Sequence, residues 1–155
     1  MSIKVDTPLP DFTAPATSGV TVTLSELAGK KVVLYFYPKD HTPGCTTEGQ
    51  DFRDMYEQFQ AADTLVFGIS RDSLRTHENF RAKQGFPFEL ISDADETLCR
   101  LFDVIRQKQL YGKQYEGIER RTFLIDREGV LRREWRKVKV PGHVAEVLAA
   151  AQALD

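Results

Sequence analysis

Cysteine is scarce in this 155-residue chain: Cys45 and Cys99 are the only two. Two thiols are too few for a disulfide-stapled scaffold, and a reducing compartment fits them best. No uninterrupted apolar stretch approaches the roughly 20 residues that span a bilayer. The opening Met-Ser-Ile-Lys-Val-Asp lacks the apolar core and small-residue cleavage site of a secretory signal. A cytoplasmic location with no membrane partner is therefore expected. Charge of one sign is missing too: 21 basic against 23 acidic residues leave a net −2, which disfavours nucleic acid as a partner. The one loose basic cluster is Arg132, Arg133, Arg136, Lys137 and Lys139. On an edge strand, such charges keep the strand soluble and unpaired. His41, His77 and His143 are widely spaced, and neither Cys-x-x-Cys nor His-x-x-x-His occurs. Neither a metal site nor a disulfide reductase is indicated, and no cofactor is expected.

What is present reads as one α/β domain over residues 1–155, ordinary in size and apolar content. Pro8, Pro10 and Pro15 discourage helix near the start. Thr17-Ser-Gly19 predicts a turn, Val20–Leu24 a short strand and Ser25–Gly29 one helical turn, so the chain opens on a β-hairpin. Val32-Val-Leu-Tyr-Phe-Tyr37 and Leu65-Val-Phe-Gly-Ile-Ser70 are apolar runs suited to strands buried on both faces. Between them Phe52, Met55, Tyr56 and Phe59 form the stripe of an amphipathic helix. A second helix begins at the Ser73 cap, carries Leu74, His77, Phe80 and Arg81, and closes near Gly85. Phe88–Ile91 predicts a short strand. Asp93 or Asp95 then caps a helix with the stripe Leu98, Leu101, Phe102 and Ile105. Arg121–Asp126 and Val130–Val138 flank Arg127-Glu-Gly129 as a hairpin. Pro141-Gly142 opens a last helix with Val144, Val147, Leu148 and Ala151 on one face. Strands alternating with helices and ending in a hairpin imply a mixed central sheet with helices on both sides.

Cys45 falls just past the carboxyl end of the first buried strand, where α/β folds place reactive groups. Pro43-Gly44 permits a tight turn that puts Cys45 in the first turn of the next helix. Unpaired N–H groups and the positive end of the helix dipole then face its sulfur. The thiolate is the nucleophile, and a helix N-terminus raises its population. Thr42 offers a hydroxyl that can bond the thiolate or a substrate oxygen. Pro38 fixes the backbone and can shield the site from water. A cysteine at such a junction is, by itself, as readily a packed small hydrophobe.

The longer string is more specific. Tyr35-Phe-Tyr-Pro-Lys39 followed by Thr42-Pro-Gly-Cys-Thr-Thr-Glu48 resembles the active-site loop of peroxiredoxins of the bacterioferritin-comigratory, or Q-type, subfamily. Their Pro-x-x-x-Thr-x-x-Cys pattern appears as Pro38, Thr42 and Cys45. The resemblance extends through Asp6–Phe12, Leu65–Asp72, Leu90–Asp93 and Arg120–Asp126. It implies a thioredoxin-like fold and reduction of hydrogen peroxide or organic hydroperoxides through a Cys45 sulfenic acid. It also implies three donors around the breaking O–O bond: the Thr42 hydroxyl, the Cys45 N–H and a distant arginine. The family position of that arginine corresponds to Arg120. Strand alternation places Arg120 with Thr122 and Leu124, whereas Arg121 sides with Phe123 and Ile125. Glu48 stands where the subfamily has an acidic residue and is expected to orient the arginine. The subfamily is often monomeric, so the resemblance leads to the expectation of a monomer.

One position departs from the pattern. Many relatives place a resolving cysteine five residues after the peroxidatic one, where this chain has Gln50. The sulfenic acid must then meet another thiol. Cys99 is the only internal candidate, and beside Leu98, Leu101 and Phe102 it also reads as a buried hydrophobe. The leading expectation is a one-cysteine cycle completed by thioredoxin or by glutathione with glutaredoxin. A Cys45–Cys99 cycle and a non-enzymatic redox relay are the alternatives. His41 lies near Cys45 and reads as an exposed loop histidine rather than a base.

Overall fold

The computed structural model describes residues 3–155. After the short hairpin β1 (Thr13–Pro15) and β2 (Thr21–Thr23), the chain enters β3 (Lys31–Phe36), every residue of which is buried. Helices α1 (Pro43–Asp54) and α2 (Tyr56–Ala61) lead to β4 (Thr64–Ser70). Helix α3 (Leu74–Gln84) leads to β5 (Leu90–Ser92), and α4 (Thr97–Leu101) follows. A second hairpin, β6 (Ile105–Leu110) and β7 (Lys113–Ile118), precedes β8 (Arg121–Ile125), β9 (Leu131–Trp135) and α5 (His143–Ala153).

Five strands form the central sheet in the order β5-β4-β3-β8-β9. β3, β4 and β5 run parallel, joined by helical crossovers, while β8 and β9 are antiparallel. Alternation along β3 divides the core in two. Val32, Leu34 and Phe36 pack with the first hairpin, Cys99, Phe102 and Phe123 on one face. Val33, Tyr35 and Tyr37 pack with Cys45, Phe52, Phe59, Phe80 and the apolar stripe of α5 on the other. β9 is an edge strand, and its arginines are paired: Arg132 with Asp6 and Asp126, and Arg133, whose guanidinium also lies over Trp135, with Glu146.

Several local expectations hold. Ser73 caps α3, its hydroxyl accepting from the Thr76 N–H, and Gly85 closes that helix at φ 67°. Asp93 accepts from the N–H groups of Leu98 and Cys99, and Asp95 from that of Thr97. Three expectations need correction. The single helix over Phe52–Phe59 is kinked at Met55 (φ −103°, ψ 6°), with Phe52 and Phe59 fully buried on either side. The helix after Asp93 stops at Leu101 instead of reaching Ile105. Asp103 turns left-handed at φ 56°, the Val104 N–H bonds the Cys99 carbonyl and the Asp103 N–H bonds that of Arg100. That is a Schellman closure built without glycine, so the sequence carries no readable stop. The last strand ends at Trp135, short of Val138, and Lys137 takes φ 47° beyond it.

The hairpin β6–β7 has no counterpart in the sequence reading. Its two-residue turn, Tyr111-Gly112, holds both φ angles positive at 52° and 77°, the geometry that matches strand twist. Beyond the Ile105–Ile118 pair at its base, which joins the core, its strands are mostly polar, so no hydrophobic alternation announces them. No helix among the described residues is long and apolar enough to cross a membrane.

Candidate active site

Backbone placement comes first. The loop leaves β3 at Tyr37, whose N–H bonds the Ile69 carbonyl, and passes through half-buried Pro38. Thr42 is the N-cap of α1, in extended conformation, with Pro43 at the first helical position. Cys45 therefore lies in the first helical turn, as the sequence predicts. Its N–H is one of the donors with no carbonyl a turn earlier, and no side chain caps it. The Cys45 side chain is all but enclosed, at 2% exposure, in the core beneath that face of the sheet.

The other half of the site arrives from far along the chain. Arg120, directly before β8, directs Nη2 to within 3.4 Å of Cys45 Sγ. Its Nη1 donates to Glu48 Oε1 at 2.6 Å. The alternation that sets Arg120 apart from Arg121 is visible in the packing: Leu124 shares the core of Cys45, and Phe123 faces the other way. Arg121 donates instead to Glu119 at 2.6 Å. Gly44 makes room for the guanidinium, because a Cβ there would stand 3.2 Å from Arg120 Nη2.

Glu48 is fully buried, and its Oε2 has no hydrogen-bond partner. Burial pushes its carboxyl up to about 7, against the pull of the Arg120 charge and hydrogen bond. Burial alone would lower Arg120, but Glu48 and Cys45 beside it raise it overall. Arg120 thus stays cationic and links a carboxylate to a sulfur.

Thr42 differs in detail from expectation. Its hydroxyl donates to the Lys39 carbonyl at 2.7 Å. With that hydrogen committed, the oxygen can only accept from anything entering the site. His41 is exposed at φ 64°, its ring edge-on to Phe80.

Gln50 donates to Gln84 Oε1 at 2.9 Å, tying α1 to α3. Cys99 is fully buried on the opposite face of the sheet from Cys45. Burial, then Asp93, pushes its thiol well up. Sequence spacing also missed a cluster: Asp40, Asp72 and His77 come together beside the loop, with their facing atoms already hydrogen-bonded. Asp40 lies 32 residues from Asp72 and 37 from His77, so spacing gives no local signal for it.

The sequence profile of the AhpC/TSA family matches residues 5–134. A putative peroxiredoxin bcp from Coxiella burnetii is 53% identical over 148 residues, covering 96% of this chain and 98% of that protein. Peroxiredoxin Bcp from Bacillus subtilis is 51% identical over 148 residues, covering 96% and 94%. Among solved structures, a trapped intermediate/ligand complex of the Xanthomonas campestris bacterioferritin comigratory protein, studied for alkyl peroxide reduction, superposes with a TM-score of 0.90. It is 51% identical and covers 97% of this chain and 98% of its own.

Proposed function

This chain belongs to the AhpC/TSA family and is a thiol-dependent peroxidase with the thioredoxin-like peroxiredoxin fold, and on that premise we propose that Cys45 is its peroxidatic residue in a one-cysteine cycle. The observation that carries the reading is Arg120, holding Cys45 Sγ and Glu48 with two nitrogens of one guanidinium. A fixed cation stands beside the attacking sulfur. It also faces the position where negative charge develops on a peroxide oxygen.

The thiolate attacks one oxygen of hydrogen peroxide or an organic hydroperoxide. The O–O bond breaks, the departing oxygen takes a proton as water or alcohol, and Cys45 is left as sulfenic acid. Thr42 accepts from the hydroperoxide O–H, the Cys45 N–H and Arg120 donate, and Pro38 limits water. Glu48 orients Arg120, and Gly44 leaves space for it. An external thiol then displaces water from the sulfenic acid, giving a mixed disulfide that a second thiol resolves. Thioredoxin, or glutathione with glutaredoxin, supplies those thiols in the cytoplasm to a monomeric single domain.

Two features support an external rather than an internal resolver. Gln50 cannot form a disulfide, and Cys99 belongs to the opposite core with its thiolate strongly disfavoured. Mass spectrometry of peroxide-treated protein without reductant is expected to show sulfenic and then sulfinic acid at Cys45. A Cys45–Cys99 bridge would overturn the one-cysteine cycle. Cys45→Ser is expected to abolish peroxide consumption, and Cys99→Ser to retain most of it; activity surviving in the first variant would discard Cys45.

A further inference from the structure

The loop that carries Thr42 is held by groups far from it in sequence. Asp40 Oδ2 and His77 Nδ1 lie 2.6 Å apart, and neither side chain has any exposure. His77 Nε2 is 2.9 Å from the Ile91 carbonyl, which can only accept. That nitrogen therefore carries hydrogen. The short contact at Nδ1 then requires one further proton, shared between imidazole and carboxylate. The couple as a whole is neutral, as its burial demands. Tyr37 donates to Asp40 Oδ1 at 2.6 Å, and the Asp40 N–H donates to Asp72 Oδ2 at 2.9 Å. Asp40 is thus gripped from just past β3, from α3 and from just past β4.

What this grip secures is a backbone that would not choose its own conformation. His41, directly after Asp40, sits at φ 64°, a left-handed position unusual for a non-glycine residue. Such strain persists only where the surroundings over-determine it. The next residue is Thr42, whose hydroxyl direction is set by the Lys39 carbonyl in the same loop. The hydroxyl, the Cys45 N–H and the sulfur all follow from this anchored turn.

We propose that His77 and Asp40 are positioning residues for the peroxide reaction: the proton they share locks the Pro38–Thr42 turn to α3 and β5 and so fixes the acceptor and donor that align the peroxide. The inference rests on Cys45 being the peroxidatic residue.

The test compares two reactions of Cys45 in the intact protein. Oxidation by hydrogen peroxide needs the aligned site, whereas alkylation by iodoacetamide needs only an accessible thiolate. In His77→Gln the ratio of the peroxide rate to the iodoacetamide rate is expected to fall by about tenfold to a hundredfold, the scale set by small misplacements of catalytic groups. Should that variant not fold, Asp40→Asn, which keeps a donor and an acceptor at the same positions, is expected to show a smaller fall in the same ratio. A ratio unchanged from the unmodified protein, whether both rates hold or both drop together, overturns the proposal. The ¹⁵N spectrum of the unmodified protein is expected to show a protonated His77 Nε2 at neutral pH, and an unprotonated one equally overturns it. Failure of the unmodified protein itself to react with peroxide at Cys45 would count against the peroxidase reading instead.

Discussion

Glu48 is a carboxylate with no exposure and one cationic partner, and these two facts set its pH behaviour. Its carboxyl is raised from 4.5 to about 7 in the folded chain. Between those values the native state keeps a proton that the unfolded chain has released. The stability it contributes is therefore complete below about 4.5 and is lost as pH rises through about 7. The slope for one such group is at most about 1.4 kcal/mol per pH unit. Urea unfolding of Glu48→Gln across that window is expected to show a flatter decline with pH than the unmodified protein. Equal slopes would remove Glu48 as the group responsible. Arg120→Lys tests the guanidinium itself: an ammonium cannot reach Cys45 and Glu48 with separate, fixed nitrogens. The peroxide rate is expected to drop about 10²- to 10³-fold, the usual effect of deleting one preorganised donor, as followed by stopped-flow oxidation of Cys45. At this scale the sequence was informative where chemistry is local. Cys45 and Thr42 lie in one short motif, and strand alternation separates Arg120 from Arg121. The direction of the Thr42 hydroxyl depends on the Lys39 carbonyl, and His77 meets Asp40 only in the fold. Residue spacing encodes neither.

Helix α1 packs tightly against the end of α3. A Cβ on Gly49 would come within 2.3 Å of the Phe86 ring, which follows α3. Alanine is the better helix former by about 1 kcal/mol, yet overpacking costs about 1–3 kcal/mol. Gly49→Ala is therefore expected to lower the urea midpoint with the m-value unchanged; a raised midpoint would mean that Phe86 yields freely. Elements with strong punctuation were legible before the fold was seen: the Ser73 cap, the Gly85 closure, the apolar run of β3 and the Gly129 turn. Those built on unusual backbone were not. Asp103 ends α4 in a conformation usually left to glycine, Met55 kinks a continuous stripe, and Tyr111-Gly112 turns a hairpin that is apolar only at its base.

Across the whole molecule, order should follow the cores. The five-stranded sheet is covered on both faces, whereas β6–β7 forms a separate two-stranded sheet with largely exposed strands. Amide hydrogen exchange is expected to be slowest in β3, β4 and β8 and fastest at the turn of that hairpin. Slow exchange at Tyr111 would indicate a covering partner. The layered fold itself was readable, because buried strands alternating with amphipathic helices admit few arrangements. Which face each cysteine joins was not, since that depends on how α4 docks. The separation of the two sulfurs matters beyond assigning roles to them. With Cys45 and Cys99 on opposite faces, the one-cysteine cycle proposed above leaves the oxidised sulfur no partner within the chain. Deprived of reductant, each molecule would take one peroxide to the sulfenic acid and a second only by over-oxidation to the sulfinic acid. Copy number, rather than catalytic speed, would then set how much of the first pulse is removed.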